Sequence, residues 1–288
     1  MDFRYRLLRL AAKAAQYFPV RLGYHFAVLC GDILFLFSAK HRNIVGDNIK
    51  HVLDSETGNR RHRATTRNVF KNLAKNYFDL TRLSKLRLDK LQENVTIEGW
   101  HNLSDIGNVN RGIILASAHL GNFDFACRIL ALRGINMTVF VEDFKSAPFL
   151  RNVARLRKGN GVRTIPVNTS TLKEGLQVLR HGGTVGIVCD RDIQGNGMKI
   201  NFFGESTSLP VGAVSLALRT GAAIVPIFSV RQSDNHYSIC IEPPLKLTSN
   251  GNRSHSLKEG VEKLAAIMEG YIRKYPEQWV VLEPIWKN

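Results

Sequence analysis

A chain of 288 residues, 44% hydrophobic and 22% charged, is long enough to bury a substantial core, which excludes intrinsic disorder as its class. Its 40 Lys and Arg against 24 Asp and Glu leave a net charge of +16, and residues 1–90 alone hold 18 basic against 7 acidic side chains. Such a surface seeks phosphate, so nucleic acid, anionic lipid headgroups and an acidic carrier are the candidate partners, beside a basic solvated surface with no particular partner.

In chain order, residues 3–17 are predicted to form an amphipathic basic helix, with Leu7, Leu8, Leu10, Ala11 and Ala14 set against the arginines and Pro19 ending it. No cleavable signal pattern is evident. The following HFAVLCGDILFLFSAKHR is the most apolar stretch. It falls short of the ~20 apolar residues of a membrane span and is interrupted by Gly31 and Asp32. The two segments read together as an interfacial anchor that dips into one leaflet, and the second alternatively as a packed core helix. This sets a membrane-associating segment at 1–45 before a body at 46–288. The body opens with basic helical sequence to about residue 93, whose buried face is Val69, Phe70, Leu73, Tyr77, Phe78 and Leu80.

From about residue 94 the texture changes to short apolar runs between helical stretches: VTIEG, GIILASAH, MTVFVE, VRTIPV, TVGIVCD, INFFG, AAIVPIFSV and YSICIEPPL. Eight such runs predict an α/β fold with a mostly parallel, buried sheet flanked by helices. A last long helix over 255–274 leads into KYPEQWVVLEPIWKN. The four cysteines, at 30, 127, 189 and 240, form no close pairs, so buried thiols in a reducing compartment are expected.

The second run ends in Ala-His-Leu-Gly-Asn-Phe-Asp. On one regular helix His119 and Asp124 would stand about 140° apart and never meet. They meet if His119 lies in a strand-to-helix turn bent by Gly121 and Asn122, with Asp124 in the first helical turn. The carboxylate then accepts from one imidazole nitrogen and leaves the other as a base. A satisfied histidine beside an N-terminal helix carboxylate is the structural alternative. Ser117 shares the face of His119 on an alternating strand and is a candidate nucleophile, but no GxSxG elbow accompanies it. The glycine-rich 195–212 lacks phosphate-loop or dinucleotide spacing. Phe202 and Phe203 within it suit an acyl groove or simple core, and Trp279 and Trp286 suit interface anchoring or packing.

SAHLGNFD resembles the His, four residues, acidic motif of glycerolipid acyltransferases, and its Gly-Asn resembles the bacterial lipid A biosynthesis acyltransferase family. The likeness extends over nearly the whole chain: KHRNIVGDNIKHVL, VEDFKSAPFLRNVARLRKGNGVRTIPV, GIVCDRDIQGNGMKINFFGESTSLPVGAVSLALRTGAAIVPIF and PEQWVVLEPIW. The resemblance implies transfer of a long-chain acyl group from acyl-CoA or an acyl carrier protein to a glycolipid hydroxyl, at the cytoplasmic face of a bacterial plasma membrane, without metal, cofactor or nucleic acid. It implies His119 as general base with Asp124 as its orienting partner, and Arg157, Asp190, Glu142, Glu205 and Asn122 around the substrates. Chemically, Arg157 suits a phosphate or a developing oxyanion, and Asp190 at a strand end suits holding an arginine; an Arg157–Asp190 ion pair is their structural alternative. Asp124 stands where the lipid A enzymes usually carry Glu. DRD, FFGE, LPVG and the PEQW ending look more like the phosphatidylinositol mannoside acyltransferase branch, which leaves the acceptor open between mannosylated inositol lipid and lipid A precursor. A serine-type lipid or ester hydrolase, and a non-catalytic basic membrane- or nucleic-acid-binding protein, are the alternatives.

Overall fold

A computed structural model describes residues 10, 12–53, 58–85, 95–107, 111–142, 153, 155–157, 162–167, 169–248 and 252–286. The predicted amphipathic helix over 3–17 lies largely outside the described residues, as does much of the VEDFKSAPFLRNVARLRKGNGV block.

The apolar segment forms helix α1 (Val20–Phe37), and Ser38 separates it from α2 (Ala39–Val52). Helix α3 (Asn59–Arg82) follows. One face of α1 carries Gly23, Ala27, Gly31 and Phe35 and is buried. The small residues admit α3 closely: a Cβ on Gly31 would stand 2.6 Å from the Lys71 backbone, and one on Gly23 would enter the Phe78 ring. The opposite face leaves Leu22, Phe26, Leu29, Ile33, Leu36 and Phe37 exposed, at a helical repeat. Among the described residues α1 is the one helix long and apolar enough to cross a membrane.

The body is α/β. Its strands are β1 (Val95–Glu98), β2 (Ile113–Ser117), β3 (Met137–Val141), β4 (Arg163–Pro166), β5 (Thr184–Val188), a two-stranded hairpin of β6 (Met198–Phe202) and β7 (Glu205–Leu209), then β8 (Ala223–Arg231) and β9 (Tyr237–Ile241). Seven of them form one sheet in the order β1-β9-β8-β2-β5-β3-β4, in which only the β8–β9 pairing is antiparallel. Helices α4 (His101–Gly107), α5 (Phe123–Leu132), α6 (Thr169–Arg180), α7 (Gly212–Thr220) and α8 (Arg253–Lys274), with short 3-10 turns at Leu83–Lys85 and Pro276–Gln278, complete the elements among the described residues.

Alternation along β2 and β8 divides the interior into two cores. Ile114, Ala116, Ala118, Phe228 and Val230 face one core with α7 and α8, while Ile113, Leu115, Val225 and Ile227 face the other with α4 and α5. Nearly continuous burial of β2 and β8 is the mark of parallel strands covered on both sides. Each fully buried aliphatic side chain there, such as Ile114 or Leu130, contributes about 1.5–3 kcal/mol. Parallel strands end at one edge, so the loops after β2 and β5 open side by side at the carboxyl ends of the strands, where ligands of open α/β sheets bind.

Candidate active site

The turn after β2 carries His119. Gly121 has a left-handed φ of 64°, and a Cβ there would lie 1.8 Å from the Ser229 carbonyl oxygen, so the bend requires glycine. Asn122 then caps α5, its side chain accepting from Phe125 N–H at 3.1 Å. The turn is tied down on several sides. His119 C=O accepts from Val280 N–H (2.7 Å), Gly121 N–H donates to Gln278 C=O (2.9 Å), and Asn122 N–H donates to Ser229 C=O (2.9 Å). The Asn76 amide donates to Gly121 C=O at 2.6 Å.

The expected His119–Asp124 hydrogen bond is not what the fold builds. The β2–β5 register pairs Ser117 with Val188, and two residues further along both chains His119 meets Asp190. Nδ1–H of His119 donates to Asp190 Oδ1 at 2.7 Å, and its backbone N–H to Oδ2 at 2.9 Å. The Trp279 indole N–H also donates to Oδ2, at 2.7 Å. Asp190 is fully buried and His119 is 24% exposed. Burial raises the Asp190 carboxyl, but the adjacent imidazole and the His119 and Trp279 hydrogen bonds outweigh it and leave it below the usual carboxylate range. The acceptor-only carboxylate fixes the proton on Nδ1, so Nε2 is left basic. Nε2 has no hydrogen-bond partner among the described residues.

Asp124, in the first turn of α5, points the other way. Arg157 grips it with Nε at 2.8 Å and Nη2 at 3.1 Å, a two-point ion pair between mostly buried side chains. Arg157 therefore does not pair with Asp190. The two pairs are neighbours all the same: the Phe123 ring stands edge-on to His119 at 6.2 Å and beneath the Arg157 guanidinium at 5.1 Å.

The remaining expected substrate contacts have other occupations. Asn122 is 2% exposed, and while its oxygen caps α5 its amide donates to Tyr237 Oη at 3.0 Å, so it holds the turn. Glu142 pairs with Arg191, whose other amino group lies 3.6 Å from Glu283. Glu205 starts β7 and meets His51 Nε2 at 3.2 Å, with no hydrogen bond or ion pair to His119 or Asp190 among the described residues. Ser117 is buried and donates to Ile227 C=O at 2.7 Å, which leaves it engaged away from His119. Phe202 and Phe203 are core, packed with Trp279 and Trp286. Trp279 is the residue whose part in the site the sequence concealed, since an indole at a chain-distant position carries no local signal. No cluster of His, Cys, Asp and Glu fit for a metal ion occurs among the described residues.

A histidine held by a buried carboxylate at a sheet edge recurs on unrelated folds, so comparison with known proteins carries the family assignment. A family model described as bacterial lipid A biosynthesis acyltransferase matches residues 7–288. A phosphatidylinositol mannoside acyltransferase of Mycolicibacterium smegmatis is 28% identical over 209 residues, 71% of this chain and 66% of that protein. A phosphatidylinositol mannoside acyltransferase of Mycobacterium tuberculosis strain CDC 1551 / Oshkosh is also 28% identical, over 61% of this chain and 54% of that protein. The chain thus spans between about half and two thirds of the length of these relatives. With the match running through the β2 turn, Asp190 and the Trp279 segment alike, the chain belongs to the bacterial lipid A biosynthesis acyltransferase family.

Proposed function

We propose that the protein is a membrane-associated acyltransferase that moves a long-chain fatty acyl group from a thioester donor, acyl-CoA or acyl carrier protein, to a hydroxyl of a glycolipid. The observation that carries this reading is the His119–Asp190 pair at the carboxyl edge of the sheet, with Nε2 free and the imidazole partly exposed. A phosphatidylinositol mannoside is the favoured acceptor class, on the names of the relatives; a lipid A precursor is the other.

In this mechanism Nε2 of His119 removes the proton from the acceptor hydroxyl as its oxygen attacks the thioester carbonyl. Asp190 keeps the imidazole in the required tautomer and stabilises the imidazolium that forms. The tetrahedral intermediate then expels the thiolate, which recovers the proton from His119. Asp124 acts through Arg157, which it holds over the Phe123 ring; a guanidinium there suits a donor or acceptor phosphate. A serine nucleophile is disfavoured because the Ser117 hydroxyl is spent on Ile227 C=O.

The membrane reading rests on α1. An 18-residue helix is about 27 Å long, near the thickness of a hydrocarbon core. Its buried face is packed on the basic α3, where Arg60, Arg61 and Arg63 are exposed, and such a helix cannot follow α1 into lipid. We therefore place α1 in the plane of the interface, its apolar stripe in the acyl boundary and the arginines against anionic headgroups on the cytoplasmic side.

The test is transfer of label from palmitoyl-CoA and, in parallel, from palmitoyl acyl carrier protein to candidate glycolipids in membranes carrying the wild-type or the His119→Ala protein. Label on one glycolipid with wild type alone is expected. Label released only as fatty acid would favour a hydrolase, and no turnover with any donor would overturn the reading.

A further inference from the structure

The peptide between Gly121 and Asn122 is the joint of the site. His119 stands two residues before it and Asp124 two residues after it, and each is anchored to a different partner, Asp190 for the histidine and Arg157 for the aspartate. Gly121 holds a left-handed φ of 64° and lacks the Cβ that would limit rotation about the joint. The angle between the two anchored halves therefore depends on what grips this one peptide plane.

Both edges of the plane are gripped. On one edge Asn122 N–H donates to Ser229 C=O at 2.9 Å, a contact between two backbones. On the other, Gly121 C=O accepts from the side-chain amide of Asn76, on α3, at 2.6 Å. That amide stands only one way round, because its oxygen accepts from Arg231 Nη2 at 3.1 Å. The guanidinium is itself set by Asp79 and, through Nη1 at 3.0 Å, by Tyr24 Oη on α1. Asn76 thus brings to the joint the position of a buried network built by α1, α3 and β8.

We propose that Asn76 is a positioning residue for acyl transfer: by fixing the Gly121–Asn122 peptide it holds His119 in register with the Arg157 guanidinium that Asp124 carries. This rests on the acyltransfer reading above. Asn76 acts through the backbone of the turn. In that reading Nε2 of His119 receives the hydroxyl proton while Arg157 holds a phosphate of a reactant, so an error in the angle between them moves the hydroxyl away from the base. A misplacement of about 1 Å costs on the order of 10²-fold in rate. Aspartate at position 76 would keep the shape of the side chain and its contact with Arg231, yet it would set a carboxylate oxygen against the Gly121 carbonyl oxygen, where the wild type has a donor. The joint would then be pushed rather than held.

The experiment follows label from palmitoyl-CoA to a phosphatidylinositol mannoside in membranes carrying wild type, Asn76→Asp or Asn76→Ala, each alone and combined with His119→Ala, beside thermal melts of the same proteins. Asn76→Asp is expected to lower kcat on the order of 10²-fold with little change in KM for palmitoyl-CoA. Asn76→Ala should lower it by less, since a water can take the vacated carbonyl. Both should melt near wild type. In the His119→Ala background neither should reduce the residual rate further, because a residue that acts through the histidine has nothing left to position. Wild-type kcat in either folded variant would overturn the proposal, as would an equal loss with and without His119. Activity that falls only together with the melting temperature would assign Asn76 to the fold and equally overturn it. A wild-type protein that transfers no label would instead remove the acyltransfer reading, and this proposal with it.

Discussion

Asp190 and Asp79 are both buried carboxylates that gather donors from distant parts of the chain, yet only Asp190 holds a partner that keeps a second nitrogen unengaged among the described residues. Asp190 accepts from the His119 ring, the His119 backbone and Trp279. Asp79, on α3, accepts from Arg231 Nη2 at 2.5 Å, Tyr237 Oη at 2.6 Å and Tyr24 Oη at 2.7 Å. The partner of Asp79 is a permanent cation, itself 6% exposed, and burial together with the Asp79 charge drives the Tyr24 and Tyr237 hydroxyls well above the usual phenol range. Both phenol protons of that network, and the Arg231 Nη2 proton, point at the Asp79 carboxylate. The partner of Asp190 is an imidazole whose second nitrogen has no hydrogen-bond partner among the described residues, so a proton can be taken up and given back there while the Nδ1 proton stays hydrogen-bonded to Asp190. Under the mechanism proposed above, the same carboxylate chemistry is a clamp at Asp79 and the support of a base at Asp190.

The comparison would break first at the carboxylates themselves. His119→Ala and Asp190→Asn are expected to lower kcat for acyl transfer about 10³- to 10⁴-fold, with melting temperatures near wild type for His119→Ala; label-transfer kinetics beside thermal melts decide this. Asp79→Ala should do the reverse, destabilising the fold by about 3–5 kcal/mol because it strands a buried guanidinium. Chemical denaturation measures that cost. Should Asp190→Asn unfold the protein while Asp79→Ala merely slowed it, the assignment of base and clamp would be inverted.

A finer test uses pH. Because the folded Asp190 carboxyl lies below its ordinary range, its contribution is present above the unfolded value and is lost as pH falls through the folded one. Trp279→Phe removes one of the donors that hold it down. The acid limbs of the pH–rate and pH–stability profiles should both move to higher pH, and an unmoved limb would mean that another group sets them. The smallest expected effect on the fold is at α1: Phe26→Ser with Leu29→Ser should weaken sedimentation with anionic vesicles while leaving stability within about 0.5 kcal/mol per site.

Much of the scaffold was legible locally. All eight apolar runs from VTIEG to YSICIEPPL became strands, and the last helix begins at Arg253, two residues before the expected start. Strand β7, Glu-Ser-Thr-Ser-Leu, escaped notice because its residues read as a turn; hairpin pairing with β6 makes it a strand. The basic helical stretch proved to be two helices, α2 and α3. Within the site, His119, Asp124, Arg157 and Asp190 could all be singled out, but their partners could not. Which carboxylate meets His119 depends on β5, rather than β3, lying next to β2, and strand order is a property of the whole sheet. Spacing along the chain favoured the carboxylate five residues away; the register supplied one 71 residues away.

The C-terminal segment gives the site a birth order. Gln278 and Val280 hold the backbone of the turn and Trp279 holds Asp190, some 160 residues after His119 itself is made. At about 5–20 residues per second, roughly 8–30 s separate synthesis of the histidine from synthesis of the residues that fix it. For that interval a ribosome-bound chain carries the sequence of the β2 turn without the donors that tie down its backbone and Asp190.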